Sequence, residues 1–183
     1  DLNSKEIDKW SELECFMLHQ IFILNKNFND YFKEYNFHKL YRELLNFCSL
    51  DLSAFYFDIR KDVLYCDEIK SPQRQICINL LSLILDMLLK WFAPILSFTT
   101  EEIFQIINQG KNKSIHLETF PEIPLKWQNE KLFQKWDKLK IIRKVANAAI
   151  EIKRSSKDIG SSLEADVEIY LGKEYLKLVK DID

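Results

Sequence analysis

The sequence contains few residues that make tight turns. It has three glycines and four prolines among 183 residues, and no two glycines lie within ten residues of one another. A glycine-rich loop of the kind that cradles phosphates is therefore excluded. Few turns also mean long segments, and 47% hydrophobic with 30% charged residues is an ordinary globular composition. Together these features favour a protein built from long packed helices.

Signatures of metal binding and of disulfide bonding are missing as well. The cysteines are widely separated, with no C-x-x-C pair: Cys15, Cys48, Cys66 and Cys77. The histidines share no metal-ligand spacing: His19, His38 and His116. Zinc sites and small disulfide frameworks need closer spacings, so we expect reduced, mostly buried thiols and no metal or cofactor in this chain. Because no catalytic constellation assembles either, we predict that the chain alone is not an enzyme.

Long apolar runs are also lacking. The longest, at residues 76–95, is interrupted by Asn79, Asp86 and Lys90, and no apolar signal region occurs at the N-terminus. A membrane span needs about 20 predominantly apolar residues. The sequence therefore predicts a cytoplasmic protein without a membrane partner.

Charge is unevenly distributed along the chain. The net charge is −2, but Lys126 to Lys157 contains ten Lys or Arg against three acidic residues, a local charge of +7. The first 62 residues carry eleven acidic and eight basic residues, a balance of −3. The basic segment can be a stripe that faces phosphates, or it can be a solvated helix face.

Apolar periodicity predicts four helices over residues 1–110. The first is capped at Asn3 and places these residues on one face: Ile7, Trp10, Leu13, Met17, Ile21, Leu24 and Phe28. A second helical stretch covers residues 40–65 with a bend near Ser49. The four segments together indicate an up-and-down helical bundle.

Capping signals define the third and fourth helices. The third begins at Ser71-Pro72 and ends near Trp91, because Pro94 disfavours helical geometry at the residue before it. The fourth begins at the T-x-x-E capping box of Thr99, and Gly110 is placed to end it.

Residues 111–183 have a different character. After an extended piece at residues 115–120, a long basic helix runs from about Asn129 to Ser156. Alternation of apolar and polar residues predicts a strand at residues 165–171, and a last helix follows. The predicted fold class is mainly α, a helical bundle followed by a small α+β appendage.

Three segments carry a resemblance to a known family. They are F-Y-F-D-I-R-K-D-V-L-Y at residues 55–65, A-P-I-L-S-F-T-T-E-E at residues 93–102 and I-G-S-S-L-E-A-D-V at residues 159–167. These segments resemble the anticodon-binding region of isoleucyl-tRNA synthetases, which are class I aminoacyl-tRNA synthetases. The resemblance extends from about Glu6 to Leu171. It implies that residues 1–110 are the anticodon-binding helical bundle and that residues 111–183 are the basic helix with an α+β subdomain.

The resemblance also implies a larger enzyme. Such an enzyme uses ATP with magnesium to attach isoleucine to its tRNA, and it edits errors in a separate domain. Its catalytic and editing domains, an arginine-rich helix and a zinc-binding C-terminal region lie outside this sequence. The expected partners are the isoleucine-accepting tRNA and those other domains of the parent chain. The alternative is a helical module for protein–protein interaction that binds no tRNA.

Residues 153–157, K-R-S-S-K, superficially resemble the K-M-S-K-S loop with which class I synthetases hold ATP. That loop belongs beside a nucleotide-binding α/β domain, which this sequence lacks. We instead predict the basic end of a long helix, where cations complement the helix dipole.

The candidate tRNA-binding residues are long basic side chains: Arg42, Arg60, Lys61, Arg143 and Lys144. Such side chains contact phosphates, while exposed aromatic rings stack on unpaired bases. Lys61 has an alternative role as the partner of Asp58 in a helical ion pair. We expect Tyr56, Phe57 and Trp91 to lie in the core.

Overall fold

A computed structural model describes residues 7–109 and 113–179. The chain forms two compact units that divide after Gln128. Every regular element within the described residues is helical, which confirms the predicted mainly α fold.

The first unit consists of helices joined by short turns. Its α-helices are α1 (Glu12–Lys33), α2 (Phe37–Asn46), α3 (Asp58–Cys66), α4 (Pro72–Phe92) and α5 (Ser97–Ile107). A π-helical segment, Phe47–Phe57, joins α2 to α3, and 3-10 turns occupy Ile7–Lys9, Ile115–Leu117 and Leu125–Trp127. The bundle is built by contacts of α1 with α2 and α4, and of α4 with α3 and α5.

The apolar face predicted for the first helix forms the centre of this core. All of its members are buried: Ile7, Trp10, Leu13, Met17, Ile21, Leu24 and Phe28. Each large apolar side chain removed from water stabilises the fold by about 1.5–3 kcal/mol before its entropy cost is counted. The α-helix itself begins at Glu12, after Ser11. The cap predicted at Asn3 lies outside the described residues.

The second predicted helix is continuous, and its middle is π-helical. The backbone is helical at both junctions, with φ −57° and ψ −47° at Phe47 and φ −66° and ψ −35° at Asp58. A π-helix closes its hydrogen bonds over five residues instead of four, so it shifts the faces of α2 and α3 relative to one another. The Ser49 hydroxyl also donates to the carbonyl of Leu45, a bond that tends to bend helices. The bend predicted near Ser49 stays a prediction.

Helix α4 has the start that its sequence predicts. Ser71 is the cap residue, Pro72 is the first helical residue, and the helix ends at Phe92. The Ser71 hydroxyl donates to the Asp67 carboxylate at 3.0 Å and makes no bond to the helix amides. The proline, which lacks an amide hydrogen and has its φ angle fixed, supports this start.

The start of α5 differs from the prediction. The T-x-x-E pattern places the cap at Thr99, but the helix begins at Ser97 with Leu96 as its cap residue. The amide of Thr100 already donates to the carbonyl of Leu96 at 3.0 Å, so Thr99 lies within the first turn. The side chain of Thr100 is buried and donates to the same carbonyl at 3.0 Å. The capping-box prediction is therefore wrong.

By length and composition alone, α4 is also apolar enough to cross a membrane, with a mean hydropathy of 1.5. In the structure it is a core helix of the first unit. It packs against α1, α3 and α5, and it buries these residues: Cys77, Leu80, Leu83, Ile84, Met87, Leu89 and Trp91.

Residues 113–128 pack onto the bundle. Ile115 joins a buried cluster with Leu89, Ala93 and Phe104. The ring of Phe120 lies 5.0 Å from that of Phe28 and 4.9 Å from that of Phe32. The extended piece predicted at residues 115–120 begins instead as a 3-10 turn. Because these contacts tie the segment to the bundle, the compact units divide after Gln128, whereas the sequence placed the domain boundary after residue 110.

The second unit contains α6 (Glu130–Ser155), a 3-10 turn at Ser162–Glu164 and α7 (Lys173–Val179). The bounds of α6 agree with the prediction, because the Asn129 side chain accepts from the Leu132 amide and Ser156 is the C-terminal cap. After the cap, Lys157 adopts a left-handed φ of 61°. The amides of Lys157 and Asp158 then donate to the carbonyls of Arg154 and Lys153 and close the helix.

The strand predicted at residues 165–171 does not form in the described part of the chain. Ala165 has an extended backbone, but residues 165–172 have no regular secondary structure. A β-strand needs a second strand to accept and donate its backbone hydrogen bonds, and alternation along one segment cannot supply it. The helical part of the predicted α+β appendage is present without its strand.

Candidate nucleic-acid interface

Arg60 lies in a buried ion pair with Glu14. Its Nε and Nη2 atoms donate to the two carboxylate oxygens at 2.8 and 3.0 Å. The Glu14 side chain is fully buried, and the Arg60 side chain is 18% exposed. The hydroxyls of Ser11 and Tyr56 donate to the same carboxylate, and the Cys77 thiol lies 3.6 Å from it. This arrangement links α1, the π-helical segment, α3 and α4.

The electrostatics of this site favour a charged pair and neutral neighbours. Burial lowers the pKa of Arg60, but the hydrogen bonds and the negative charge of Glu14 outweigh burial and raise it overall. Burial and the Glu14 charge raise the pKa of Tyr56, and burial raises the pKa of Cys77. Moving the guanidinium to a phosphate would leave a carboxylate buried without its partner, which costs about 3–5 kcal/mol. Arg60 therefore positions helices.

Lys61 forms the helical ion pair with Asp58 that was predicted as its alternative role. Its ammonium lies 3.3 Å from the Asp58 carboxylate, and both side chains are about half exposed, at 56% and 49%. An exposed pair of this kind contributes between about 0 and 1 kcal/mol. The pair is therefore broken at little cost in free energy.

Arg42 lies on the exposed side of α2. Its Nη2 atom is 3.1 Å from the Nε2 atom of His38, one helical turn earlier, and both residues are exposed. The His38 side chain carries no negative charge, so this contact leaves the charge of Arg42 uncompensated by that partner. This geometry suits a phosphate contact.

Arg143 and Lys144 are consecutive residues of α6 in the second unit. Arg143 is half-buried and Lys144 is exposed. Other cations of the basic segment belong to ion pairs: Lys138 with Glu174, Lys153 with Asp158 and Arg154 with Glu151. These pairs reduce the field of the segment below its formal +7 charge. Of the five candidates, Arg42, Arg60 and Lys61 lie in the first unit.

The aromatic residues predicted to lie in the core are not all buried. Tyr56 and Trp91 are fully buried, as predicted, whereas Phe57 is 42% exposed. Two further rings project from the surface of α2, at Phe37 and Tyr41, and Tyr35 precedes them. These three rings were not among the residues predicted from the sequence. The exposure of Phe37 and Tyr41 could have been predicted from helical spacing. Phe37, Tyr41 and Leu45 recur every four residues, which places them beside the buried face formed by Leu40 and Leu44.

No group of three His, Cys, Asp or Glu side chains that could hold a metal occurs in the described residues. The cysteines there are free thiols, with Cys77 buried, Cys15 and Cys48 half-buried, and Cys66 exposed.

Residues 153–157 form the end of α6. Lys153 pairs with Asp158 at 3.0 Å, and Arg154 pairs with Glu151 at 2.5 Å. Both charges thus have partners within the second unit, and the backbone closes the helix. The segment is a helix terminus, in agreement with the interpretation of its sequence.

Comparison with known proteins identifies the family. Residues 15–169 match the family described as "Anticodon-binding domain of tRNA ligase". The chain belongs to this family. The match begins in α1 and ends in the segment before α7, so it extends over most of both compact units.

Similar proteins within the family are isoleucine–tRNA ligases. That of Pelagibacter ubique is 56% identical over all 183 residues, that of Agrobacterium fabrum is 42% identical over 160 residues, and that of Mesorhizobium japonicum is 43% identical over 159 residues. These alignments cover 100%, 87% and 87% of this chain. The chain spans only 20%, 16% and 16% of the three relatives. The resemblance inferred from its sequence segments is confirmed.

Proposed function

We propose that this chain is the anticodon-recognition part of an isoleucine–tRNA ligase. The observation that carries the proposal is the anticodon-binding family match over residues 15–169, together with similarity to isoleucine–tRNA ligases along the whole chain. The parent enzyme would use ATP with magnesium to attach isoleucine to its tRNA in the cytoplasm. Its catalytic and editing domains would be further partners of this chain.

Within the parent, this chain would contribute binding energy rather than chemistry. Positively charged side chains displace the counterions of the RNA backbone, so each phosphate contact adds affinity that falls with salt. Arg42, Arg143 and Lys144 are the candidates for these contacts, and Lys61 can join them by exchanging its exposed carboxylate partner. Arg60 would act indirectly, by holding the helices that carry the other residues.

Binding of the chain to isoleucine-accepting tRNA, followed by fluorescence anisotropy across a salt series, tests this proposal. Replacing Arg143 and Lys144 together by Glu should weaken binding and flatten the dependence of affinity on salt. The matched control is the double variant Lys70→Glu and Lys113→Glu, which changes the net charge equally at two other exposed positions. The tRNA proposal is contradicted if the unaltered chain binds no tRNA. Equal effects of both double variants would instead assign the binding to overall charge.

A further inference from the structure

Three exposed aromatic rings lie at the corner between α1 and α2. Tyr35 is 80% exposed, and Phe37 and Tyr41 are each 42% exposed. The rings of Tyr35 and Phe37 are 6.3 Å apart at 74°, and the ring of Phe37 meets that of Phe32 at 5.8 Å and 85°. Phe32 in turn stacks on the buried ring of Phe28 at 5.8 Å. The rings of Tyr35 and Phe37 are therefore anchored to the core while much of their surface stays open, and Tyr41 follows Phe37 by four residues on α2.

The backbone holds Tyr35 in a conformation that side chains disfavour. Its φ is 56°, in the left-handed region where glycine normally ends a helix. Its amide donates to the Phe32 carbonyl at 3.1 Å, and the amide of Asn36 donates to the Tyr31 carbonyl at 2.8 Å. A non-glycine residue pays about 1–2 kcal/mol for this conformation. A large ring at a strained and exposed position indicates a role in binding.

The charges around these rings suit a polyanion. Arg42 and His38 lie side by side on α2, next to Tyr41 along the helix. Glu43, which is the acidic residue of α2, is directed toward α1. There it accepts hydrogen bonds from Asn27 at 3.2 and 3.4 Å and from Tyr31 at 3.1 Å. The carboxylate of Glu43 is thus satisfied on the α1 side. The charged side chains within residues 33–42 are three exposed cations, Lys33, Lys39 and Arg42, and one exposed carboxylate, Glu34.

We propose that unpaired bases of the tRNA stack on Tyr35, Phe37 and Tyr41 while Arg42 binds the adjoining phosphate backbone. This inference rests on the proposed function and assigns it a site. Bases in RNA loops are splayed out and stack on aromatic side chains, whereas bases in a duplex are already stacked on one another. Aromatic platforms beside basic side chains are the usual means of binding single-stranded nucleic acid. The site therefore selects loop over duplex.

The test compares two labelled RNAs binding to the 183-residue chain: an anticodon stem-loop of the isoleucine-accepting tRNA, and a fully paired duplex of equal length. Phe37→Leu and Tyr41→Leu keep apolar bulk but remove the rings, whereas Tyr41→Phe keeps the ring. Each leucine variant should weaken stem-loop binding about fivefold to 100-fold, the usual effect of losing one base stack. The slope of affinity against salt should not change, since no phosphate contact is lost. Tyr41→Phe should bind like the unaltered chain.

Two controls separate stacking from other effects. Phe98→Leu removes a ring that is 93% exposed on α5, outside this cluster, and it should leave stem-loop binding unchanged. Arg42→Gln should weaken the binding of both RNAs. It should also reduce the slope of log affinity against log salt concentration by roughly 0.7 to 0.9, the value for one phosphate contact.

The remaining outcomes distinguish this inference from the proposed function. Unchanged stem-loop binding by both leucine variants would overturn the stacking site and leave the tRNA-binding proposal standing. Equal losses for stem-loop and duplex would also overturn it, because duplex bases cannot stack on the rings. Failure of the unaltered chain to bind either RNA would overturn the site and the proposed function together.

Discussion

Arg60 and Glu14 are 46 residues apart in sequence and form a two-bond ion pair within the first unit. The pair joins the third helix of the bundle to the first. Its carboxylate also accepts the hydroxyl of Tyr56, from the π-helical segment between them. One buried charge thus fixes the relative placement of α1, the π-helical segment and α3.

Replacing Arg60 by Met should destabilise the first unit by about 3–5 kcal/mol, because it leaves the Glu14 carboxylate buried without its cation. Removing both charges, with Glu14→Gln added, should recover part of that loss. Urea unfolding of the two single variants and the double variant measures the coupling. Lys61→Met is the control, since its exposed pair with Asp58 should cost at most about 1 kcal/mol. An Arg60 variant as stable as the Lys61 variant would show that the ion pair contributes little.

Because α5 begins at Ser97, we expect substitutions at the two adjacent threonines to differ in their effect on the free energy of unfolding. Thr99 is exposed and lies inside the first turn, so Thr99→Ala should leave the free energy of unfolding nearly unchanged. Thr100 is buried and donates to the Leu96 carbonyl, so Thr100→Val should cost about 1 kcal/mol. Thermal unfolding of both variants decides between the structure and the T-x-x-E pattern. A larger loss for Thr99→Ala would restore the capping box.

We expect the ionisation of Glu101 to make the stability of the fold depend on pH in the acid range. Its carboxylate accepts from the Gln105 side chain at 2.7 Å, and from the Ser114 hydroxyl and Ile115 amide at 2.9 Å each. These hydrogen bonds, that of Gln105 first, lower the pKa of Glu101 below its ordinary value. A carboxyl with a lowered folded-state pKa stabilises the fold above its unfolded pKa, about 4.3, and loses this effect as the pH falls through the folded value.

Glu101→Gln should therefore reduce stability at pH 7 and lose most of that deficit as the pH falls well below 4. Thermal unfolding at a series of pH values compares the variant with the unaltered chain. Glu102→Gln, on the exposed side of the same turn, is the matched control. A deficit that stays constant with pH would mean that the ionisation of Glu101 does not stabilise the turn.

Local signals in the sequence predicted the helices well. Pro72 after Ser71 gave the start of α4, and Asn129 and Ser156 gave both ends of α6, because capping depends on residues within one turn. The ion pair of Lys61 with Asp58 could be predicted for the same reason, since the two residues are three positions apart. The burial of Arg60 could not be predicted, because its partner Glu14 lies in another helix and no residue near Arg60 in sequence indicates that helix.

Two errors have similar physical origins. The alternation at residues 165–171 favours a strand, but a strand exists only when another segment pairs with it. At Thr99 the pattern for a cap was present, but the cap residue is Leu96, three residues earlier, whose carbonyl accepts from the amide and the hydroxyl of Thr100. The exposed ring of Phe37 was not predicted, because the periodicity of α2 indicates only the direction of its core, while the contact that anchors this ring comes from Phe32 on α1.

Anticodon recognition is tested most directly by dividing the tRNA into its two arms. The chain should bind the anticodon stem-loop of isoleucine-accepting tRNA, and it should bind an acceptor-stem minihelix of equal length more weakly. Both RNAs carry similar backbone charge, so anisotropy titrations at one salt concentration isolate recognition of the loop from general attraction to phosphate. Preference for the stem-loop is the predicted result. Equal affinity for the two arms, or preference for the acceptor minihelix, would contradict the assignment of anticodon recognition to this chain.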